Sequence, residues 1–596
     1  MNLKMINMKK IILLLSLVIF MAIGCQKSFL EVAPQGVASL EQLKSKTGVS
    51  SLLVGAYSLL DGVGSGTTQW HGSVDNWVFG GVVSDDAYKG TDAGDQPEQS
   101  FLEQYNWLAD NTHLRGKWQH LYDAIARCNE AIQVANDPAV KDMTAVEKTT
   151  AIAEARFLRG HYHFEAKKMW KNVPYLDEKV YDRGSPNAVL VTNTKDIWPE
   201  IEADFKFAAE NLPLTQAQKG RATKWSAKTY LAKALLFQKK WAAAKTELLD
   251  VYTNSGKSLV TQYHDNYKTT TNNNRESIFE VQFSINDGTT GGNGNKGVTL
   301  NWPYTSTSPG RGCCGFYQPS HNLVNAFKTD AEGLPLIGSA VDGSADTYNN
   351  EDISNDQGIK FSEPFTLDNT VPVDTRLDWT VGRRGVNFLD WGKMPGTSWV
   401  RDQLYGGPFT GKKWMYYLAE ENSTTHSTDR RSVNNNYRLL KFSHVILWLA
   451  ECEAELGNLD KAQEYVNMIR ERAQKSTSQD ASINTKVGLY PSGRFTSKGA
   501  AFALNAVHME QRLEFAMEGH RYFDLVRWGI AEKVLNAYVK AESVSGKDNT
   551  GRTITKRAYL AGKTFLPKHN VYPIPADEIL NSQKDGKSVL TQNPEY

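Results

Sequence analysis

The stretch His444–Ala473, HVILWLAECEAELGNLDKAQEYVNMIRERA, carries the clearest secondary-structure signal in the chain. Apolar side chains recur every three or four positions along its first half, at Val445, Leu449, Cys452 and Leu456. That spacing places them on one face of an α-helix. Gly457 and Asn458 are typical of a helix end, and Asp460 opens a second helix with an apolar face at Ala462, Tyr465, Val466 and Ile469. The stretch therefore predicts two helices joined by a tight turn.

The same spacing recurs upstream, in residues 118–132, 155–169, 197–208, 225–236 and 241–248. Paired helices of this length resemble tetratricopeptide-type repeats, of which the stretch quoted above is the clearest copy. Because such repeats bury their apolar faces only against neighbours, we expect the two helical blocks to close into one lobe.

The region between the two blocks is different in character. It is rich in Gly, Asn, Thr, Ser and Pro, and it holds short strand-like runs such as Ser277–Ser284. Long loops inside a compact protein are commonly functional. The sequence thus predicts a mainly α fold, a tetratricopeptide-like scaffold with a large irregular, loop-rich insertion containing short strands. We assign residues 25–254 and 438–596 to the helical parts and residues 255–437 to ligand binding.

The chain begins with an export signal. Three lysines precede an apolar run from Ile11 to Ile23, which is too short to span a bilayer and is typical of a secretory signal peptide over residues 1–24. The small residues before Cys25 resemble a lipobox, which implies lipidation of that cysteine. A plain signal peptide with an unmodified Cys25 is the alternative. We expect an exported protein held at a membrane surface by acyl chains.

Composition excludes several classes of protein. The chain has 596 residues, of which 40% are hydrophobic and 11% aromatic, so it is not disordered. With 67 basic and 66 acidic residues it has a net charge of +1, which gives no electrostatic basis for binding nucleic acid. Five cysteines are too few for a disulfide scaffold. Cys128 and Cys452 lie on helical faces and are predicted to be buried thiols.

Signatures of catalysis are nearly absent: the sequence has no His-Glu-x-x-His, no Gly-x-Ser-x-Gly and no phosphate-binding loop. Glu510, Glu514 and Glu518 follow one another at helical spacing, which would also suit the paired carboxylates of a glycoside hydrolase. We favour a structural ion network instead, with Arg512, Arg521 and Arg527 as its cations. No catalytic residue and no cofactor are therefore predicted.

The adjacent Cys313 and Cys314 stand out among the loops. Glycines flank both cysteines, so a disulfide between neighbours is possible, and two free thiols in a buried turn are equally compatible with the sequence. Aromatic and polar residues crowd around the pair, namely Trp302, Tyr304, Arg311, Phe316 and Tyr317. Such a loop could stack on a sugar ring while Arg311 binds hydroxyl groups.

Two further loops have a similar composition, Trp70–Tyr88 with the nearby Trp107, and Arg376–Tyr405. Tryptophan in a loop of Gly, Asp and Asn is typical of a binding platform or a loop anchor. Two acidic segments, Asp92–Glu98 and Asp342–Asp356, could hold a structural calcium ion, but neither has the spacing of a helix–loop–helix calcium site. We therefore expect solvated loops there and assign no metal.

Several ordered segments resemble the SusD/RagB family of outer-membrane glycan-binding lipoproteins. The longest is Glu518–Gly529, EGHRYFDLVRWG, and Tyr572–Ile579, YPIPADEI, follows it. Earlier segments of the same kind are Ser28–Pro34, Leu53–Tyr57, Tyr122–Asn129 and Ala153–Gly160, and the chain ends in LTQNPEY. The resemblance extends over most of the mature chain.

The resemblance implies a non-enzymatic, lipid-anchored protein of the outer membrane, at the cell surface. It would capture oligosaccharide and act as a lid on a SusC-like TonB-dependent transporter, its partner. Within the loops, we expect sugar rings to stack on Trp77, Trp107, Trp302 and Phe316, near Tyr304 and Tyr317. Polar contacts would come from Asp75, Asp92, Arg311 and Arg384, with Cys313 and Cys314 as an apolar wall.

Two alternatives stay open. The chain could bind a peptide or glycoprotein, as some members of that family do. It could instead be a glycoside hydrolase that uses Glu514 and Glu518.

Overall fold

The computed structural model describes residues 40–64, 68–181, 190–290, 292–337, 348–349, 351–547 and 553–596. The signal segment and Cys25 lie outside these residues, as does most of the first half of the acidic segment Asp342–Asp356. Within the described ranges, no helix is both long enough and apolar enough to cross a membrane.

Helices form most of the regular structure. In the first part of the chain they are α1 (Leu40–Leu43), α2 (Lys46–Ser58), α3 (Pro97–Glu103), α4 (Thr112–Asn136), α5 (Ala145–Trp170), α6 (Trp198–Asn211), α7 (Lys224–Phe237) and α8 (Trp241–Asn254). Short helices follow in the middle, α9 (His321–Ala326), α10 (Arg376–Thr380), α11 (Gln403–Gly406) and α12 (Glu421–Thr424). The last part holds α13 (Phe442–Glu455), α14 (Leu459–Lys475), α15 (Arg494–Lys498), α16 (Ala500–Phe515), α17 (Arg521–Trp528), α18 (Ala531–Glu542) and α19 (Ala576–Asn581).

The long helices begin where polar side chains satisfy their free amide groups. Before α5, the Thr144 hydroxyl accepts from the Glu147 amide at 3.2 Å, and the Glu147 carboxylate accepts from the Thr144 amide at 2.8 Å. Before α4, the Asn111 side chain accepts from the amides of His113 and Leu114. Each such cap stabilises a helix by about 1 kcal/mol, so these residues set where the hairpins start.

The two helical blocks form one lobe, as the sequence predicts. Helices α4 to α8 pack pairwise in chain order, and α8 then packs against α13, which begins the second block. Lys245 on α8 pairs with Glu453 on α13 at 2.8 Å across that junction. The quoted stretch is the antiparallel pair α13 and α14, with Gly457 in the turn at φ +83°. The mainly α, repeat-like scaffold is confirmed.

The region between the blocks has little regular structure. Its strands are short and pair two at a time: β1 (Ala87–Gly90) with β3 (Phe316–Pro319), β2 (Ser277–Val281) with β6 (Tyr437–Lys441), and β4 (Val381–Gly382) with β5 (Thr410–Gly411). Near the C-terminus, β7 (Ser545–Lys547) pairs with β8 (Thr553–Thr555), and β9 (Gln583–Lys584) with β10 (Lys587–Ser588). Since β1 pairs with β3, residues before α3 belong structurally to the irregular region. The domain boundaries themselves stay a prediction.

The loops rest on a small apolar cluster that is separate from the main core. The main core runs through both helical blocks. A smaller cluster gathers residues of the irregular region only, Trp302, Phe388, Leu389, Met394, Trp399, Val400, Met415, Tyr416 and Val433. This second cluster anchors the loops that carry the candidate site.

Candidate functional site

Glu510, Glu514 and Glu518 belong to a network of buried ion pairs in the structure, as predicted. Glu510 pairs with Arg376 at 2.7 Å and with Arg470 at 2.9 Å, and Glu514 pairs with Arg376 at 3.1 Å and with Arg472. All of these side chains are buried. Burial alone would raise the pKa of Glu514, but the guanidinium groups of Arg472 and Arg376 hold it below its ordinary value. Five buried carboxylates face five buried cations here: Glu276, Asp374, Glu510, Glu514 and Glu518 against Arg376, Lys413, Lys441, Arg470 and Arg472.

Two details of that prediction are wrong. The expected cations pair elsewhere, Arg512 with Asp85 and Asp86, Arg521 with Asp85, and Arg527 with Glu451. Glu518 is not on the helix of the other two, because α16 ends at Phe515.

Glu518 lies in the turn after α16, where it contacts lysines instead of arginines. Lys413 and Lys441 approach its carboxylate at 2.7 and 2.8 Å. Burial opposes its ionisation, yet the two ammonium groups lower the pKa of Glu518 to about 2. The next residue, Gly519, has φ +68°, and a Cβ atom there would meet the Asp75 carbonyl oxygen at 1.7 Å. The Glu-Gly pair that opens the EGHRYFDLVRWG segment is therefore required for close packing.

The tryptophans expected to stack on sugar are core residues, which corrects that prediction. Trp77 is 0%, Trp107 3% and Trp302 2% exposed. Each indole N–H donates to a backbone carbonyl inside the protein, at Gly297, Leu102 and Arg431 respectively. A ring enclosed in this way has no solvent-exposed face on which a sugar could stack.

Four more expected contact residues are also buried. Phe316 and Tyr317 lie in β3 against β1, and Phe316 packs edge-on to the Trp77 ring at 6.0 Å. Asp75 accepts from the Ser73 hydroxyl at 2.7 Å, and burial raises the pKa of Asp75 to about 6. Arg384 donates to the Glu363 carbonyl at 2.6 Å and faces Asp356 at 3.7 Å. These side chains hold loops together.

The cysteine loop, in contrast, reaches the surface. Cys313 and Cys314 form a disulfide, with Cys314 buried and Cys313 half-buried. Tyr304 lies beside this loop and is 39% exposed, and Arg311 is exposed at its start. Cys128 and Cys452 are free and buried, as predicted.

Arg401 connects the cysteine loop to the acidic segment after β1. Its guanidinium group lies 5.1 Å from the centre of the Tyr304 ring. The same group pairs with Asp92 at 2.7 Å and with Asp95 at 2.6 Å. The Thr91 amide in turn donates to the Gly315 carbonyl at 2.5 Å. These contacts bring residues from three distant segments to one surface.

Arg311 occupies an equivalent position at the other end of the loop. Its guanidinium group binds both oxygens of Glu421, at 2.9 and 3.0 Å, and covers the ring of Trp391 at 4.9 Å. The Gly310 amide donates to the Tyr416 hydroxyl at 2.8 Å, which ties the loop to the smaller apolar cluster.

The partly exposed residues around the cysteine loop are named the Tyr304 surface below. They are Asp92, Asp95, Tyr304, Arg311, Cys313, Trp391, Arg401 and Glu421. The sequence predicted four of them, Asp92, Tyr304, Arg311 and Cys313, as site residues. Arg401 and Trp391 belong to a loop of the expected composition, whereas Glu421 had no local signal.

Asp92 and Asp95 are engaged by Arg401, which occupies the position a cation would take between them. In the described part of the chain, no group of three or more His, Cys, Asp or Glu side chains could hold a metal ion. The expectation of solvated loops without a metal in the two acidic segments stays an untested prediction.

Comparison with known proteins establishes the family. The model of the SusD family matches residues 275–596, more than half of the chain. The chain belongs to the SusD family. A second family model, described as starch-binding and associating with the outer membrane, matches residues 28–236. The resemblance found in the sequence is therefore confirmed.

Curated relatives and solved structures agree with this membership. A SusD-like protein of Bacteroides ovatus is 25% identical over 516 residues, which cover 81% of this chain and 80% of that one. A SusD-like protein of Bacteroides fragilis has the same fold, with a TM-score of 0.68 at 20% identity over 95% of this chain and all of that one. Another solved relative is surface glycan-binding protein A from Bacteroides thetaiotaomicron in complex with laminarihexaose, with a TM-score of 0.63 at 19% identity over 92% of this chain and 99% of that one.

Proposed function

We propose that this SusD-family protein binds oligosaccharide at its Tyr304 surface without cleaving it. The observation that carries the proposal is the convergence of an exposed tyrosine ring, a disulfide and two oriented guanidinium groups on one surface. Apolar faces for stacking beside fixed polar groups are what an oligosaccharide requires. A laminarin-binding SusD-like protein among the solved relatives supports the same ligand class.

Calorimetric titration of the soluble chain, lacking residues 1–25, tests this proposal. A ring that stacks on a sugar contributes about 1–2 kcal/mol, so Tyr304→Ala should weaken binding of the cognate oligosaccharide about 5- to 30-fold. Phe361→Ala is the matched control, because that ring is 63% exposed and lies outside the Tyr304 surface. Equal affinity of both variants and the wild type would refute the assignment of the site.

The peptide-binding and hydrolase alternatives predict different outcomes in competition and activity assays. A peptide binder should release its ligand to competing peptides and not to oligosaccharides. A hydrolase should release reducing sugar, and Glu514→Gln should abolish that release. The burial and ion pairing of Glu514 and Glu518 count against the hydrolase, because neither carboxylate is free to reach a glycosidic oxygen.

We further propose that Cys25 is lipidated and holds the protein at the outer membrane, where it delivers glycan to a SusC-like TonB-dependent transporter. The lipobox-like segment and the family description support this placement. Incorporation of labelled palmitate should be lost in Cys25→Ala. Affinity purification of the lipidated protein from membranes should recover the transporter, and failure to do so would contradict the delivery role.

A further inference from the structure

The charges of the Tyr304 surface are already paired within the protein. Arg401 has two carboxylate partners, Asp92 at 2.7 Å and Asp95 at 2.6 Å, and it also donates to the Thr91 hydroxyl at 2.9 Å. One cation therefore faces two anions at this end of the surface, and the guanidinium group lies over the Tyr304 ring at 5.1 Å from its centre.

The other end of the surface is paired in the same way. Both carboxylate oxygens of Glu421 accept from Arg311 in a bidentate arrangement, at 2.9 and 3.0 Å. The Tyr416 hydroxyl also donates to Glu421, at 3.2 Å. Bidentate pairs are the strong and geometrically specific form of this interaction, so Arg311 is not free to pair with an external anion.

Two cations and three carboxylates give the Tyr304 surface a formal charge of −1. Lys89 is buried beneath the surface, donates to the Asp92 and Asp95 carbonyl oxygens at 2.7 Å each and adds one positive charge, which brings the sum to zero. At the opposite end, Arg430 and Asp390 add one charge of each sign and leave the sum unchanged.

From this internal pairing of both guanidinium groups we infer that the site selects uncharged glycans and rejects uronate-bearing or sulfated ones. The inference rests on the proposed function. A sugar carboxylate or sulfate would have to displace an internal carboxylate from Arg311 or Arg401, and the balanced charges of the surface would not attract it. The hydroxyl groups of a neutral sugar can instead hydrogen-bond to the remaining N–H groups and carboxylate lone pairs of these ion pairs, and the ion pairs themselves stay intact. The aromatic rings beneath both guanidinium groups keep those positions in place.

The test compares the binding of neutral polysaccharides, beginning with laminarin, with the binding of the same polysaccharides after oxidation at C6 to uronates. Binding of the soluble chain is measured by affinity electrophoresis and calorimetry at low and at physiological salt. We expect at least about tenfold tighter binding of one neutral polymer than of its oxidised form, with little dependence on salt. Tighter or equal binding of an oxidised form, weakened by salt, would overturn the inference and leave the proposed function standing. Binding of no polymer in the panel would refute both.

Variants of the protein with altered charge test the same inference. The double variant Asp92→Asn, Asp95→Asn removes both carboxylate partners of Arg401. In a separate variant, Glu421→Gln removes the carboxylate partner of Arg311. Each change should shift the preference at least about tenfold toward the oxidised polymer. Glu471→Gln removes an exposed carboxylate of α14 outside the Tyr304 surface and should leave the preference unchanged. An unchanged preference in both folded site variants would contradict the inference.

Discussion

The buried ion network around Glu514 allows a quantitative test of what holds the helical lobe together. Replacing Glu514 by Gln keeps the shape of the side chain and removes its charge. Arg472 and Arg376 then lose one carboxylate in a region closed to solvent, where five cations would face four anions. Breaking a buried pair in this way costs about 3–5 kcal/mol, because the remaining charge stays desolvated.

That cost corresponds to a measurable change in melting temperature. At about 2.1 cal/mol/K of unfolding entropy per residue, a cooperative chain of 596 residues has about 1.2 kcal/mol/K. Glu514→Gln should therefore lower Tm by about 2–4 °C in a calorimetric scan. Glycan affinity should stay at the wild-type value, since Glu514 is not part of the Tyr304 surface.

Glu471→Gln supplies the matched control for this experiment. It removes the same charge from the neighbouring α14, but Glu471 and its partner Lys475 are 51% and 63% exposed. An exposed pair of this kind contributes about 0.5 kcal/mol or less, so Tm should move by less than about 1 °C. If the two variants melted at the same temperature, the assignment of the buried network as a stabilising element would be refuted.

Two further predictions concern the core. Trp302→Ala should lower the free energy of unfolding, measured by urea denaturation, by about 3–5 kcal/mol, because its ring fills the smaller apolar cluster. A loss of glycan affinity without a loss of stability would contradict the placement of Trp302 in that cluster. His163 accepts from the Leu176 amide at 3.1 Å, and burial lowers the pKa of His163 to about 3. Since the unfolded chain takes up this proton near pH 6.5 and the folded chain does not, wild-type stability should fall by about 2 kcal/mol relative to His163→Gln between pH 7 and pH 5. A stability difference that is independent of pH would disprove this.

Much of the scaffold could be predicted because helix formation depends on near neighbours in sequence. The apolar spacing in His444–Ala473 and the turn at Gly457 specify a helical hairpin without reference to the rest of the chain. The irregular region is harder to predict, because the sequence around a tryptophan in a loop of glycines and asparagines is the same whether its ring faces solvent or the core. Trp302 and Tyr304 show this: they are two positions apart, and one is 2% exposed while the other is 39% exposed.

The helical repeats, the family and the presence of an aromatic, cysteine-containing loop can all be read from the amino-acid sequence alone. Which side chains reach the surface and which charged groups pair depends on how the distant segments pack against one another. Arg401 and its partner Asp92 are separated by more than 300 residues of chain, and Arg311 pairs with Glu421 at the start of α12. Ion pairs depend on distances of about 3 Å in space, and those distances exist only once the helices have packed and the loops have closed over them.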